Sequence, residues 1–442
     1  MIFSANLQRS TDSAHQTQTN IAVDKCSMAS RNENYTILVM SAAVLLMADV
    51  NKKKRRQRRW WRTNLFKKRS GTEILMDLKS QEISGQYKNF TRMTPTDFEN
   101  LLQRIGPHIS KQETYFRTEI SAQDRLAVTL RFLATGDSYT SLQYLFRISK
   151  QSIGRVVPQV CAALIEELQG YIKLPNTPTA WKQVSKIFET RWNLPHCVGA
   201  LYGKHVVLQA PVKSGTEFFN YKSNFSIVLF ALVDGDYNFM FADVGCQGRI
   251  SDGGVFKASK LYQQLTENRL GLPTPEELEE CSMQIPYFFA GDSAFALSEN
   301  LMKPYTGDFP KGTPQRIFNY RLSRGRRIVE NAFGISSAVF RVLRKPMHLE
   351  PAKAEWVILT VILLHNYLRK HSPNIYTPFG TLDYEVNGNL TEGSWRNQGD
   401  MTSMVPIRNI PRRPTNYCTK VRDEIANYFI NNGALEWQDQ YA

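Results

Sequence analysis

Three apolar, β-rich runs stand near the middle of the chain: Val198–Gln209, Phe225–Asp234 and Asn238–Gly245. Turns separate them, and Gly235-Asp236 between the last two is a hairpin signal. Runs joined this way are expected to pair antiparallel. The elements after them narrow the choice of fold. A helix is predicted from Gly253 to Leu265. A Leu/Glu/Pro insert at Leu270–Gln284 leads to a short buried strand at Tyr287–Gly291, and helices over Ile317–Ser336 and Ala352–Arg369 close the segment. Three antiparallel strands, a helix, another strand, then helices is the order of a ribonuclease-H-like fold, an α/β arrangement in which helices flank a mixed sheet.

The preceding segment reads as all-α. Thr96-Asp-Phe-Glu-Asn-Leu-Leu-Gln-Arg-Ile105 carries apolar residues at the spacing of one buried helix face, and Pro107 is expected to end it. Ser121 caps a helix with the apolar set Leu126, Val128, Leu130, Phe132 and Leu133, which Gly136 stops. Ser138 caps Tyr139–Phe146, and after the turn Arg147-Ile-Ser149 a longer helix runs from Lys150 to about Leu168. Two helices joined so tightly suggest a helix-turn-helix, whose second helix enters the major groove of DNA. Lys150, Gln151 and Arg155 lie where base and phosphate contacts would fall. A plain helical bundle is the alternative. Pro175-Asn-Thr-Pro178 reads as a linker to the strands.

Charge points the same way. The chain of 442 residues carries a formal net charge of +15, which implies a polyanionic partner. Eleven of the positive charges lie in Lys52-Lys-Lys-Arg-Arg-Gln-Arg-Arg59, Arg62 and Lys67-Lys-Arg69. A basic run of this kind fits nuclear import or a nucleic-acid-binding arm. The apolar run Ile37–Ala48 is shorter than the ~20 residues a membrane span needs, and its positive charge comes after rather than before it, unlike a signal peptide. No membrane association is expected. Met47-Ala-Asp has the context of a start, which leaves open whether residues 1–46 belong to the protein. The six cysteines show no C-x-x-C spacing, the pattern of reduced thiols in a nuclear or cytosolic protein. The expected divisions are a disordered or spurious extension with a short apolar run (1–50), a basic arm (51–90), the helix-turn-helix-like domain (91–175), the ribonuclease-H-like domain (176–372) and a polar tail with a short helix (373–442).

Metal-dependent phosphodiester cleavage needs carboxylates converging on cations ~3.5–4 Å apart. Mg²⁺ and Mn²⁺ prefer such oxygen ligands. In a ribonuclease-H-like fold one acid lies on the first strand, one at the end of the fourth and one on a following helix. Read by topology, these are position 202, Asp292 and Glu330. Asp252, opening the helix after the third strand, lies close enough to join them. Each has a plainer role open to it: Asp292 in a turn, Glu330 paired with Arg326 or Arg327, Asp252 capping its helix. In this order, together, they favour a metal site. Position 202, however, is Tyr202. A phenol with a pKa near ~10 offers one oxygen and no charge at neutral pH. His205 and His365 stand alone and are expected to pack or to hydrogen-bond.

Residues from about 90 to 370 resemble the Harbinger transposase-derived nucleases. The resemblance rests on Arg92-Met93, Leu130-Arg-Phe-Leu-Ala-Thr-Gly136, Phe219-Asn-Tyr-Lys222, the segments around Asp252, Asp292 and Glu330, Phe318-Asn-Tyr-Arg-Leu-Ser323 and Leu364-His-Asn366. In that family the segment at 199–205 reads Gly-Ala-Ile-Asp-Gly-x-His, its aspartate being the first metal ligand. The resemblance implies that Asp252, Asp292 and Glu330 inherit the other ligand and catalytic roles, with Mg²⁺ or Mn²⁺ as cofactor. It also implies DNA as substrate and a separate Myb-like DNA-binding partner. Tyr202 departs from the pattern, and impaired or lost cleavage is the expected consequence.

Overall fold

Serine caps and left-handed residues bound the first helices as the sequence suggests. The computed structural model describes residues 64–66, 70–112, 119–212, 214–250, 252–279, 281, 283–398, 403–406 and 414–442. The apolar run at 37–48 and the basic clusters at 52–59, 62 and 67–69 lie outside them. Helices α1 (Gly71–Ser80), α2 (Gln86–Thr91), α3 (Pro95–Ile109), α4 (Ala122–Thr135), α5 (Tyr139–Phe146) and α6 (Lys150–Leu168) come first. The hydroxyls of Ser121, Ser138 and Ser149 accept from the backbone N–H groups of Asp124, Ser141 and Ser152 at 3.1, 3.2 and 3.3 Å. Gly136 ends α4 at φ 64°, and Arg147 turns α5 into α6 at φ 52°. Pro107 does not end α3. The helix continues to Ile109, with Ser110 N–H bonded to the Gly106 carbonyl at 2.9 Å. Gly106, lacking a Cβ, avoids much of the clash that a following proline imposes.

The four residues read as a linker, Pro175–Pro178, lead into a further helix that the sequence reading did not place, α7 (Pro178–Trp192), capped by Thr177. Trp181, Val184, Phe188 and Trp192 recur along it at helical spacing. Proline at its first position is the ordinary start of a helix, not a break. Strands β1 (Cys197–Leu208), β2 (Phe225–Val233) and β3 (Phe239–Gln247) then form an antiparallel meander, its second turn closed by Asp234, whose carboxylate accepts from the N–H groups of Asp236 and Asn238. The helix expected from Gly253 to Leu265 is two, α8 (Asp252–Ala258) and α9 (Lys260–Thr266), because Ser259 caps the second. A two-residue pairing of β4 (Glu276–Glu277) with β5 (Gln284–Ile285) lies in the insert. Strand β6 (Phe288–Ala290) runs parallel to β1, and β7 (Leu301–Met302) parallel to β6. The long helices α10 (Pro314–Val339) and α11 (Pro351–His371) come next.

The main sheet therefore runs β3-β2-β1-β6-β7 and is mixed. It separates two apolar clusters. Tyr202, Ala231 and Phe333 belong to the larger, which also takes in the helices before α7. Val198, Phe230, Phe256 and Phe289 belong to the smaller. Asn64–Ala442 thus forms one compact unit. The segment after Ser372 is woven into it. Strands β8 (Tyr384–Val386) and β9 (Asn389–Thr391) form a hairpin. Strand β10 (Met404–Pro406) pairs with β1 beyond the reach of β6, and α12 (Asn416–Ile430) packs on α10, with Phe318 and Phe429 stacked at 6.1 Å. No described helix is long and apolar enough to cross a membrane.

Candidate functional site

The register of the central strands brings position 202 and Asp292 together. Ala200 lies opposite Ala290 in the parallel β1–β6 pair. Two residues further along each chain are Tyr202, still within β1, and Asp292, just past the end of β6. Helix α10 packs on the Tyr202 face: the rings of Tyr202 and Phe333 lie 6.2 Å apart, and Glu330 is one turn before Phe333. Asp292 and Glu330 meet through a side chain. Nη2 of Arg326 lies 3.2 Å from Oδ1 of Asp292 and 3.6 Å from Oε1 of Glu330. Asp292 also accepts from the Ser293 N–H at 2.6 Å, as its turn position suggested. Asp252 opens α8, as expected from its position after β3; its carboxyl group is not among the described parts.

A second cation faces the same space. Lys204 shares the Tyr202 face of β1 and is buried, its Nζ 5.6 Å from the Tyr202 ring and 5.9 Å from that of Phe333. Burial pulls the Lys204 ammonium below its usual pKa, while the nearby Glu330 carboxylate pulls it up. Lys303 donates to the Ser293 carbonyl at 3.1 Å; burial and then repulsion from Arg422 lower its pKa, with Asp292 opposing them. Two carboxylates thus face an embedded guanidinium and two ammonium groups.

This donor set does not fit a pair of divalent cations. Position 202 brings a phenol instead of a bridging carboxylate, and Arg326 spans the other two acids. Lys204 adds a buried positive charge that would repel a metal ion. Among the described residues no group of three His, Cys, Asp or Glu side chains could hold a metal. Among the described side chains, no neighbouring acid substitutes for one at 202. Asp243 lies opposite Phe230, itself opposite Gly203, one step off the Tyr202 register and so on the other face by the pleat. Helical spacing in the sequence offers Arg326 as a partner of Glu330 but not as a bridge, and Lys204 drew no role from it. The two-residue spacing of Lys204 from Tyr202 on a strand is the signal that could have found it.

The two histidines behave as expected. His205 Nδ1 lies 3.1 Å from Ser226 Oγ, and burial lowers its pKa to about 4. His365 is enclosed between Tyr376 OH and the Tyr237 carbonyl, both at 2.9 Å, and burial lowers its pKa to about 3. Lys150, Gln151 and Arg155 are all exposed on the first turns of α6.

Known proteins share this arrangement of segments. Residues 201–366 match the model of the DDE superfamily endonuclease, a span that includes position 202, Asp252, Asp292 and Glu330. Two Arabidopsis thaliana proteins are similar. Protein ALP1-like is 27% identical over 258 residues, 56% of this chain and 61% of the relative. Antagonist of Like Heterochromatin Protein 1 is 24% identical over 292 residues, 64% of this chain and 72% of the relative. The Homo sapiens protein HARBI1, whose name marks it as a candidate nuclease, is 23% identical over 311 residues, 70% of this chain and 84% of the relative. Over residues 201–366 the chain is similar to the DDE endonucleases of the Harbinger transposase-derived kind. No solved structure matches it. The chain spans less than two thirds of the first of these relatives.

Proposed function

We propose that this chain is a nuclear DNA-binding protein that has lost cleavage. Its ribonuclease-H-like scaffold descends from a Mg²⁺- or Mn²⁺-dependent nuclease. The observation that carries the reading is the bridge from Arg326 to both Asp292 and Glu330, beside a phenol at 202 and the buried Lys204. One delocalised positive charge holds the acids where two divalent ions would be needed. The ancestral ligands would be Asp252, Asp292 and Glu330 together with an acid at 202.

DNA contact is assigned to α5 and α6 as a helix-turn-helix, with Lys150, Gln151 and Arg155 toward the duplex, and to the basic arm. The net charge of +15 supports it. A chromatin role exercised through a partner, such as a Myb-like DNA-binding protein, is a second reading. It draws support from the relative named for its antagonism of a heterochromatin protein.

The test is plasmid nicking with Mn²⁺ by the native chain, by Tyr202→Asp, and by Tyr202→Asp with Glu330→Gln. The native chain is expected not to nick. Tyr202→Asp should regain measurable nicking, and Glu330→Gln should remove it again. Strong nicking by the native chain, abolished by Glu330→Gln alone, would overturn the proposal. Silence from all three would make Lys204 and Arg326 further lesions.

A further inference from the structure

Arg92, from the Arg92-Met93 pair that the acid site leaves unused, lies in a second basic cluster. It caps the C-terminal end of α2 in the left-handed region, at φ 67°, a conformation that costs a non-glycine residue energy and that persists where the surroundings enforce it. Its Nη1 bonds Asn89 Oδ1 at 2.8 Å, but its Nε is buried without a hydrogen-bond partner. Arg131, on α4, stacks over Phe90 at 4.8 Å, and its Nε is likewise buried and unbonded. Arg341, in the short turn after α10, completes the group from a third direction.

A cavity of about 340 Å³ opens here, with Lys88, Arg92 and Arg341 on its wall and Trp395 and Ile335 giving it an apolar side. That volume is at the small end of ligand sites. No described carboxylate makes an ion pair with Lys88, Arg92, Arg131 or Arg341. Asp137, the nearest acid to Arg131, is paired with Lys345 at 3.7 Å. Burial, then repulsion from Arg341 and Arg131, lowers the Arg92 pKa. The cations thus crowd one another without a protein anion between them.

We infer that Lys88, Arg92, Arg131 and Arg341 form a binding site for a phosphoryl-rich anion, distinct from the acid cluster. Phosphate oxygens accept several forked guanidinium bonds at once, and a multiply charged anion would relieve the repulsion among the four side chains. Arg131 does not line the cavity and adds only its charge from behind; the buried Nε of Arg92, on the wall, is a donor such an anion could satisfy. The apolar side of the cavity suits a ligand that carries more than its phosphates. Glu330 is not among the residues that line the cavity; the nearest α10 residue that does, Ile335, lies five positions further on.

The experiment titrates the full chain with pyrophosphate at low ionic strength, by calorimetry and by thermal melting, which rises when a ligand binds the folded state. Arg341→Gln removes an exposed side chain and Arg92→Gln a half-buried one. Lys186→Ala, at an exposed residue with no assigned role, is the charge control. Saturable binding is expected, weakened roughly tenfold or more in each arginine variant, the factor that loss of one charge-assisted bond gives, and unchanged in Lys186→Ala. Displacement of pyrophosphate by a DNA duplex would assign the phosphoryl groups to a nucleic-acid backbone. Retention would assign them to a free phosphorylated molecule. No saturable binding, or equal weakening in Lys186→Ala, would overturn the inference. Arg341→Gln decides the matter should Arg92→Gln misfold.

Discussion

A single side chain changes what the acid site can hold. Aspartate at 202 would set a second carboxylate beside Asp292, whereas Tyr202 gives bulk and a hydroxyl, and Lys204 and Arg326 provide the positive charge. Buried residues also fix how the protein meets acid. His205 and His365 have pKa values of about 4 and about 3, against ~6.5 when unfolded. Between these limits the unfolded chain takes up protons that the folded chain refuses. Stability is therefore full above pH ~6.5 and falls as pH drops toward the folded values. Each histidine contributes about 1.4 kcal/mol per pH unit once well below its unfolded pKa. Urea midpoints measured from pH 7.5 to 4.5 should fall with pH, and the fall should be shallower in His365→Gln. An identical slope in that variant would mean that His365 titrates normally.

At the scale of elements, helix ends were legible wherever a local signal defined them. Ser121, Ser138, Ser149 and Gly136 each act through a neighbour within a few residues, so their effect is written in the sequence around them. Helix α7 was masked because Pro175 and Pro178 resemble a linker. Strand β10 was illegible for another reason: three residues carry no periodicity, and their pairing partner lies about two hundred positions earlier. The site divides along the same line. Topology placed Asp292 and Glu330, but the bridge of Arg326 to Asp292 depends on how α10 seats against β6. Two predictions belong here. Replacing Lys150 and Arg155 with alanine should weaken DNA binding and lower the salt slope by about 1.8, at ~0.9 per phosphate contact, with circular dichroism unchanged. An unaltered slope would return α6 to a purely structural role. Gly334→Ala on α10 should destabilise. Its Cβ would come within 2.3 Å of the buried Trp395 ring, whose Nε1 is tied to Asn331 Oδ1 at 2.6 Å. Alanine gains roughly 1 kcal/mol of helix propensity, but overpacking typically costs about 1–3 kcal/mol, so a net loss is expected in urea.

For the molecule as a whole, the segment after Ser372 is expected to hold the fold together. The hairpin of β8 and β9 delivers Glu385 to α10, where its side chain is 4% exposed. Arg324 Nε lies 2.9 Å from one oxygen, an ion contact without hydrogen-bond alignment, and Arg327 Nη1 lies 2.9 Å from the other. Tyr320 OH donates to the same carboxylate at 3.2 Å. The Arg324 side chain is also 4% exposed. Glu385→Gln keeps the shape and one acceptor oxygen, removes the charge and turns the other acceptor into an NH2 donor. The two guanidiniums would then share a poorly hydrated pocket without a counter-charge. Breaking a buried pair by removing one partner costs about 3–5 kcal/mol, much of it the penalty of stranding the other charge. Glu350→Gln is the matched control. That residue pairs with Lys353 at 2.8 Å but is 76% exposed, where solvent screens the pair. Urea unfolding of the two variants should separate them by several-fold in free energy. If Glu385→Gln unfolds with Glu350→Gln and with the native chain, the hairpin is an accessory and the fold stands without it.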